Sequence, residues 1–126
     1  MELGQLYRSE RTFKQSDIDK FAEISWDDNP VHVNSEYAAS TRFGKTICHG
    51  MLAYSFIYSE LEKLFPEFIQ KEQEVSFLAP TFPDEEMSLR VEVIEVMQDG
   101  NFVVETSFSK SDNTVACKGK STLKRR

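Results

Sequence analysis

The chain has 126 residues, a formal net charge of −6, and a composition 40% hydrophobic and 29% charged with ten Phe. That is the make-up of a soluble globular protein with bulky apolar material for one core, and we expect a single domain over residues 1–126. The negative balance excludes general nucleic-acid binding, which rests on neutralising phosphates, and no apolar run is long enough for a membrane span.

The N-terminus has no basic-then-apolar signal pattern. Cys48 and Cys117 lack metal-type C-x-x-C spacing and read as reduced, packed thiols. Both points lead us to expect a cytoplasmic protein. The basic tail "KGKSTLKRR" contrasts with acidic "PDEEM" and "SELEKLFPE". It reads as a solvated terminus, while a local anion site that includes Arg42 and Lys45 is the alternative.

In chain order, "QLYRSERTF" alternates and predicts a first strand. "QSDIDKFAEIS" has helical spacing, with Ile18, Phe21 and Ala22 on one face and Ser16 as the expected N-cap. "WDDNPVH" follows at residues 26–32, then "VNSEYAASTRFGKT", expected as short helical turns ending at Gly44. "HGMLAYSFIYSELEKLF" is apolar on nearly every side at first and amphipathic later, and Pro66 stops it. A helix apolar all round is buried, so something must wrap it.

The wrapper is expected from "EQEVSFLAPTF", "MSLRVEVIEVM", "NFVVETSFSKS" and "TVACKGKSTLK", four strand-like segments. "QDGN" and "SDNT" are turn-forming connections suited to antiparallel hairpins. The order predicts an α+β protein in which an antiparallel meander curves around a long central helix. Open strand edges on such a sheet commonly pair with a second copy, so a homodimer is expected.

The polar stretch carries the chemistry. Asp27 and His32 are five positions apart and converge on neither a strand nor a helix, so a loop is required. Pro30 keeps Asn29 out of the α region, and the Asn29 amide can pin the bend. A carboxylate and an imidazole so placed can hold one water, one removing a proton while the other donates. That suits addition or elimination of water.

"CHGML" adds a second element: a helix starting near Gly50 aims unpartnered N–H groups and a positive dipole end at whatever lies in front. Glycine admits close approach of a ligand, and an acyl carbonyl polarised there would be stabilised as in an oxyanion hole. Met51, Leu52, Tyr54 and Phe56 are candidates to line an acyl pocket. No i,i+4 histidine pair or cysteine cluster supports a metal, and Ser55, Ser59 and Cys48 lack a nucleophile motif.

Taken together, "FAEISWDDNPVHVNSEYAASTRFGKTICHGML" resembles the signature region of the MaoC-like (R)-specific enoyl-CoA hydratases, or hydratase type 2. Asp27, Asn29, Pro30, His32, His49, Gly50 and Met51 match that pattern in order and spacing. The resemblance implies a single hot-dog fold and an active homodimer without cofactor or metal. It implies hydration of trans-2-enoyl thioesters of CoA or acyl carrier protein, or dehydration of the (R)-3-hydroxyacyl form. It makes Asp27 and His32 the catalytic dyad and places Asn29, His49 and Gly50 in the substrate-binding part, with the Gly50 N–H on the thioester oxygen.

The chain departs from the family pattern in two places. Trp26 stands where a glycine is usual, and would either narrow the site or pack on the preceding helix. "PTFPDEEM" replaces a common Gly-Asp turn. Two other readings compete. A hot-dog thioesterase would use an acidic residue such as Glu36 or Asp28. A non-catalytic acyl-binding partner subunit would have lost the Asp or the His, and this chain has both.

Overall fold

The computed structural model describes all residues, 1–126. Strand β1 (Leu6–Thr12) leads into helix α1 (Gln15–Ser25), then two short helical turns, α2 (Pro30–Val33) and α3 (Ser35–Ala39). The long helix α4 (Gly50–Leu64) precedes strands β2 (Phe68–Phe77), β3 (Glu86–Val96), β4 (Phe102–Lys110) and β5 (Val115–Arg125). No helix is long and apolar enough to cross a membrane.

The N-terminus of α1 is set by Lys14 rather than Ser16. The Lys14 N–H donates to the Asp17 carboxylate at 2.9 Å, so an acidic group in the first turn closes the cap two residues earlier. Ile18 and Ala22 are buried on one face.

All five strands form one antiparallel sheet in the order β1-β3-β4-β5-β2. The expected four-strand meander is therefore corrected to three strands. β2 does not join β3; it pairs with β5, in a register that sets Val75 opposite Gly119 and Phe77 opposite Cys117. The two chains run so close there that a Cβ on Gly119 would collide with the Glu74 carbonyl. Only glycine permits that approach.

Strict alternation on β3 and β4 turns Met87, Leu89, Val91 and Val93, and Phe102, Val104, Thr106 and Phe108, to one side. α4 lies against that face through Ala53, Ile57 and Leu61, spaced at i,i+4. At its C-terminal end Phe65 meets Tyr7 at 5.4 Å and Phe102 at 4.9 Å, and Phe68 meets Phe102 at 4.8 Å. Each fully buried ring of this kind contributes roughly 1.5–3 kcal/mol. The helix is not enclosed on all sides, because one sheet layer covers only one face. Met51 and Tyr58 stay exposed.

The basic tail is the end of β5 rather than a free terminus, and its cationic side chains stay exposed as expected. Arg125 reaches Glu67 at 3.4 Å and Arg126 reaches Glu62 at 3.3 Å, beside the C-terminal end of α4.

Candidate active site

α1 ends on Trp26 with φ 66°, a left-handed cap conformation that turns the chain sharply. The same geometry favours glycine and leaves the indole 91% exposed, so Trp26 neither narrows the site nor packs on α1. Asp27, Asp28 and Asn29 follow in non-helical conformation. Asn29 (φ −52°, ψ 130°) caps α2 by accepting from the Val31 N–H at 3.1 Å. Pro30 then opens the turn at the position where its missing N–H costs nothing. The expected loop is therefore shorter than the sequence suggested, and His32 rides on a helical turn.

His32 is held from several directions. Its Nδ1 lies 2.8 Å from the Ile47 carbonyl, which can only accept, so Nδ1 carries the proton. In the neutral ring Nε2 keeps a bare lone pair. Gln15 supports the same turn: its amide donates to the His32 carbonyl at 2.9 Å and accepts from the Thr46 hydroxyl at 2.7 Å. Gln15, Thr46 and the Ile47 carbonyl escaped the sequence reading. They bring together positions up to 31 apart, and no local pattern marks them.

The bare Nε2 of His32 lies 3.9 Å from the Asp27 Oδ2. This is too long for a direct hydrogen bond. A water with ~2.8 Å bonds to both atoms would sit at an apex of about 90°, roughly 20° inside the tetrahedral angle and still within bridging reach. The His32 side chain is 12% exposed and that of Asp27 54%, so the carboxylate forms the open side of the pair.

His49 is the N-cap of α4 by backbone (φ −62°, ψ 139°), and its side chain makes no cap bond. Instead its Nε2 donates to the Asp27 carbonyl at 2.8 Å. Its ring stacks on His32, with centroids 3.9 Å apart and planes 24° from parallel. Burial, first of all, holds its pKa below that of a free histidine.

Ligand atoms of Asp27, His32 and His49 lie within 4.8 Å of one another, a separation that admits a cation. The stacked rings, however, direct their in-plane lone pairs along near-parallel planes rather than toward one point.

α4 starts at Gly50. The Leu52 and Ala53 amides already use the His49 carbonyl, which leaves the Gly50 and Met51 N–H groups without an acceptor inside the helix. A Cβ on Gly50 would meet the Phe77 ring at 2.9 Å, so the space over its Cα belongs to that ring. The glycine is thus needed for a side chain of β2 as well as for any approaching ligand.

A cavity of about 250 Å³ opens beside this helix end, walled by Ile47, Ala53, Phe77, Leu78 and Cys117 with Arg42 at its polar edge. The expected pocket residues are corrected here. Of the α4 side chains beyond Gly50 only Ala53 lines the cavity; Leu52, Tyr54 and Phe56 pack against the core, and Met51 faces solvent. The i,i+4 face that meets the sheet is the one that Ala53 opens, and its small side chain leaves the room.

Arg42 remains the cation at the cavity, stacked on Phe43 at 4.8 Å, while Lys45 lies over Phe82 at 4.6 Å. Cys48 and Cys117 border the cavity as neutral thiols. Burial is the main cause that pushes them up to about 12 and about 11. Glu36 and Asp28 are exposed on α3 and the preceding bend, and neither is hydrogen-bonded to a site histidine.

A curved antiparallel sheet carrying one long helix, with a carboxylate–imidazole pair at the helix N-terminus, defines a hot-dog protein of the acyl-thioester type. The chain belongs to the MaoC like domain family, whose profile matches residues 2–115. It is 35% identical to an (R)-specific enoyl-CoA hydratase of Aeromonas caviae over 101 residues, 79% of this chain and 75% of that one. It is 33% identical to the enzyme of the same name from Rhodospirillum rubrum over 122 residues, 95% and 85% of the two chains. Among solved structures, the A. caviae (R)-hydratase superposes with a TM-score of 0.91 at 29% identity, covering 100% of this chain and 98% of that one. An R-hydratase from Pseudomonas aeruginosa superposes at 0.93 with 26% identity, covering 99% and 82%.

Proposed function

We infer that this chain is a hydro-lyase that interconverts trans-2-enoyl and (R)-3-hydroxyacyl thioesters. The observation that carries the reading is the 3.9 Å gap between the Asp27 carboxylate and the imidazole nitrogen that the Nδ1–H bond to Ile47 leaves as the acceptor of the neutral ring. The named relatives act in the same sense: hydratases in A. caviae and R. rubrum, and a 3-hydroxyacyl-[acyl-carrier-protein] dehydratase in Arabidopsis thaliana.

In the hydration direction the water held between the pair attacks C3 of the enoyl group. His32 Nε2 takes one water proton, and the Asp27 carboxylate accepts a hydrogen bond from the other and orients the nucleophile. The C2=C3 electron pair moves toward the thioester carbonyl, and the resulting enolate oxygen is stabilised by the Gly50 N–H at the positive end of α4. The proton on His32 then passes to C2, so H and OH of one water end on adjacent carbons. Asn29 shapes the segment through its bond to Val31. The cavity at Ala53 and Cys117 takes part of the acyl or pantetheine arm, and Arg42 is the group at its edge suited to a phosphate.

The substrate carrier is CoA or acyl carrier protein. We place the enzyme as a cytoplasmic homodimer, supported by the free thiols and by β2. That strand is one edge of the sheet, and Phe77 and Leu78 at its end are exposed. Light scattering on an eluting peak that gives the mass of one chain would remove the dimer from this reading.

The enzyme reading is tested by the loss of enoyl-thioester absorbance when the protein meets crotonyl-CoA. Formation of (R)-3-hydroxybutyryl-CoA is the expected result. Release of free thiol would point to a thioesterase, and no change with any enoyl thioester to a binding subunit.

A further inference from the structure

The site contains a second histidine for which the water chemistry has no step. His49 is 2% exposed, and neither ring nitrogen is available to a ligand. Nε2 is committed to the Asp27 carbonyl at 2.8 Å, and Nδ1 is fully buried without a hydrogen-bond partner. One ring face lies on His32 at 3.9 Å, and Phe21 of α1 approaches at 4.9 Å and 59°. The ring therefore touches both halves of the dyad at once, one through its backbone and one through its π face.

Asp27 needs such a tie. It follows the left-handed Trp26 on an exposed segment, and its only other bond is a local one, from its N–H to the Ser25 hydroxyl at 3.2 Å. Without the bond from His49, nothing distant in sequence is hydrogen-bonded to this residue's backbone. A water-bridging geometry with a 3.9 Å base tolerates little drift.

We propose that His49 is a positioning residue of the reaction rather than a substrate ligand: it clamps the Asp27 backbone with Nε2–H and the His32 ring by stacking, and so sets the gap between them. This rests on the hydratase reading for its effect on rate, and on geometry alone for the clamp. The titratable groups that face His49 are Asp27 and His32, and a ring with one proton already satisfies the one acceptor presented to it.

Three substitutions separate the two functions of the ring. His49→Gln keeps a donor near the position of Nε2 and loses the stack. His49→Phe keeps a ring face and loses the donor, and His49→Ala loses both. With crotonyl-CoA, His49→Ala and His49→Phe are expected to lower kcat by about 10²-fold with KM changed less than threefold, and His49→Gln to recover much of the loss.

Unchanged kcat in a folded His49→Phe protein would overturn the proposal. So would a rise in KM with kcat intact, which would make His49 a substrate contact. An independent readout needs no substrate: the nitrogen-15 order parameter of the Asp27 amide reports how firmly its segment is held. It should fall in His49→Phe, which loses the bond to the Asp27 carbonyl, while the His32 tautomer, set by the Ile47 carbonyl, stays as in wild type. An Asp27 amide equally ordered in both proteins overturns the clamp. A looser Asp27 with no turnover even in wild type would leave the clamp standing and refute the hydratase reading instead.

Discussion

The two ends of α4 are built from different forces. Its C-terminal end is closed by aromatic rings, with Phe65, Phe68 and Phe102 all buried and in edge contact. Its N-terminal end is surrounded by directed polar bonds, a cavity, and a ring, Phe77, that is 49% exposed. Dispersion and area burial hold the first end, and these tolerate no water. Hydrogen bonds to Ile47, Asp27 and Thr81 hold the second, and they fix direction while leaving room for a substrate. On the proposed reading, stability and chemistry are thus separated along one helix of fifteen residues.

Substitutions at the two ends should therefore break different properties. The largest effect is expected for Asp27→Asn and His32→Ala. Each should lower kcat/KM by about 10²–10⁴-fold while the melting temperature stays near that of wild type, as read by crotonyl-CoA turnover beside thermal melts. A comparable energy lost in stability instead would erase the contrast.

At the other end, Phe102→Ala should cost about 3–5 kcal/mol in urea denaturation and leave turnover per folded molecule unchanged. Trp26→Gly is smaller and of opposite sign. Relief of a left-handed tryptophan should raise stability by about 1 kcal/mol, offset in part by the entropy of glycine, and an unchanged melting curve would show that the turn is not strained.

The pH dependence is the smallest expected effect. The folded pKa of His49 is depressed, so the unfolded chain binds a proton first as pH falls below about 6.5. Stability should decline from there down to the folded pKa. The decline should be weaker in His49→Gln, as followed by melts across that range.

Much of this protein was legible in one dimension. The i,i+4 apolar spacing of α4, the alternation of β3 and β4, the stop at Pro66 and the Asp27–Asn29–Pro30–His32 and His49–Gly50 spacings all arise from local geometry, which a sequence records directly. The position of Asn29 as a cap and of Gly50 as the first helical residue follow from the same local chemistry.

The rest depended on contacts between distant segments. Nothing local places β2 against β5 rather than β3, since the choice rests on how residues 78–85 cross the sheet and on the missing Cβ of Gly119. The cavity lies at Ala53 and Cys117 rather than at the large residues of α4 expected to line an acyl pocket, because cavities form where side chains are small and neighbours from other strands stop short. The tautomer of His32 was set by a carbonyl fifteen residues away, and a backbone carbonyl carries no sequence signature. Residue identity determined the groups available for the chemistry. Only tertiary structure decided their proton states and the distance between them, because both depend on which distant atoms the fold brings within hydrogen-bond reach.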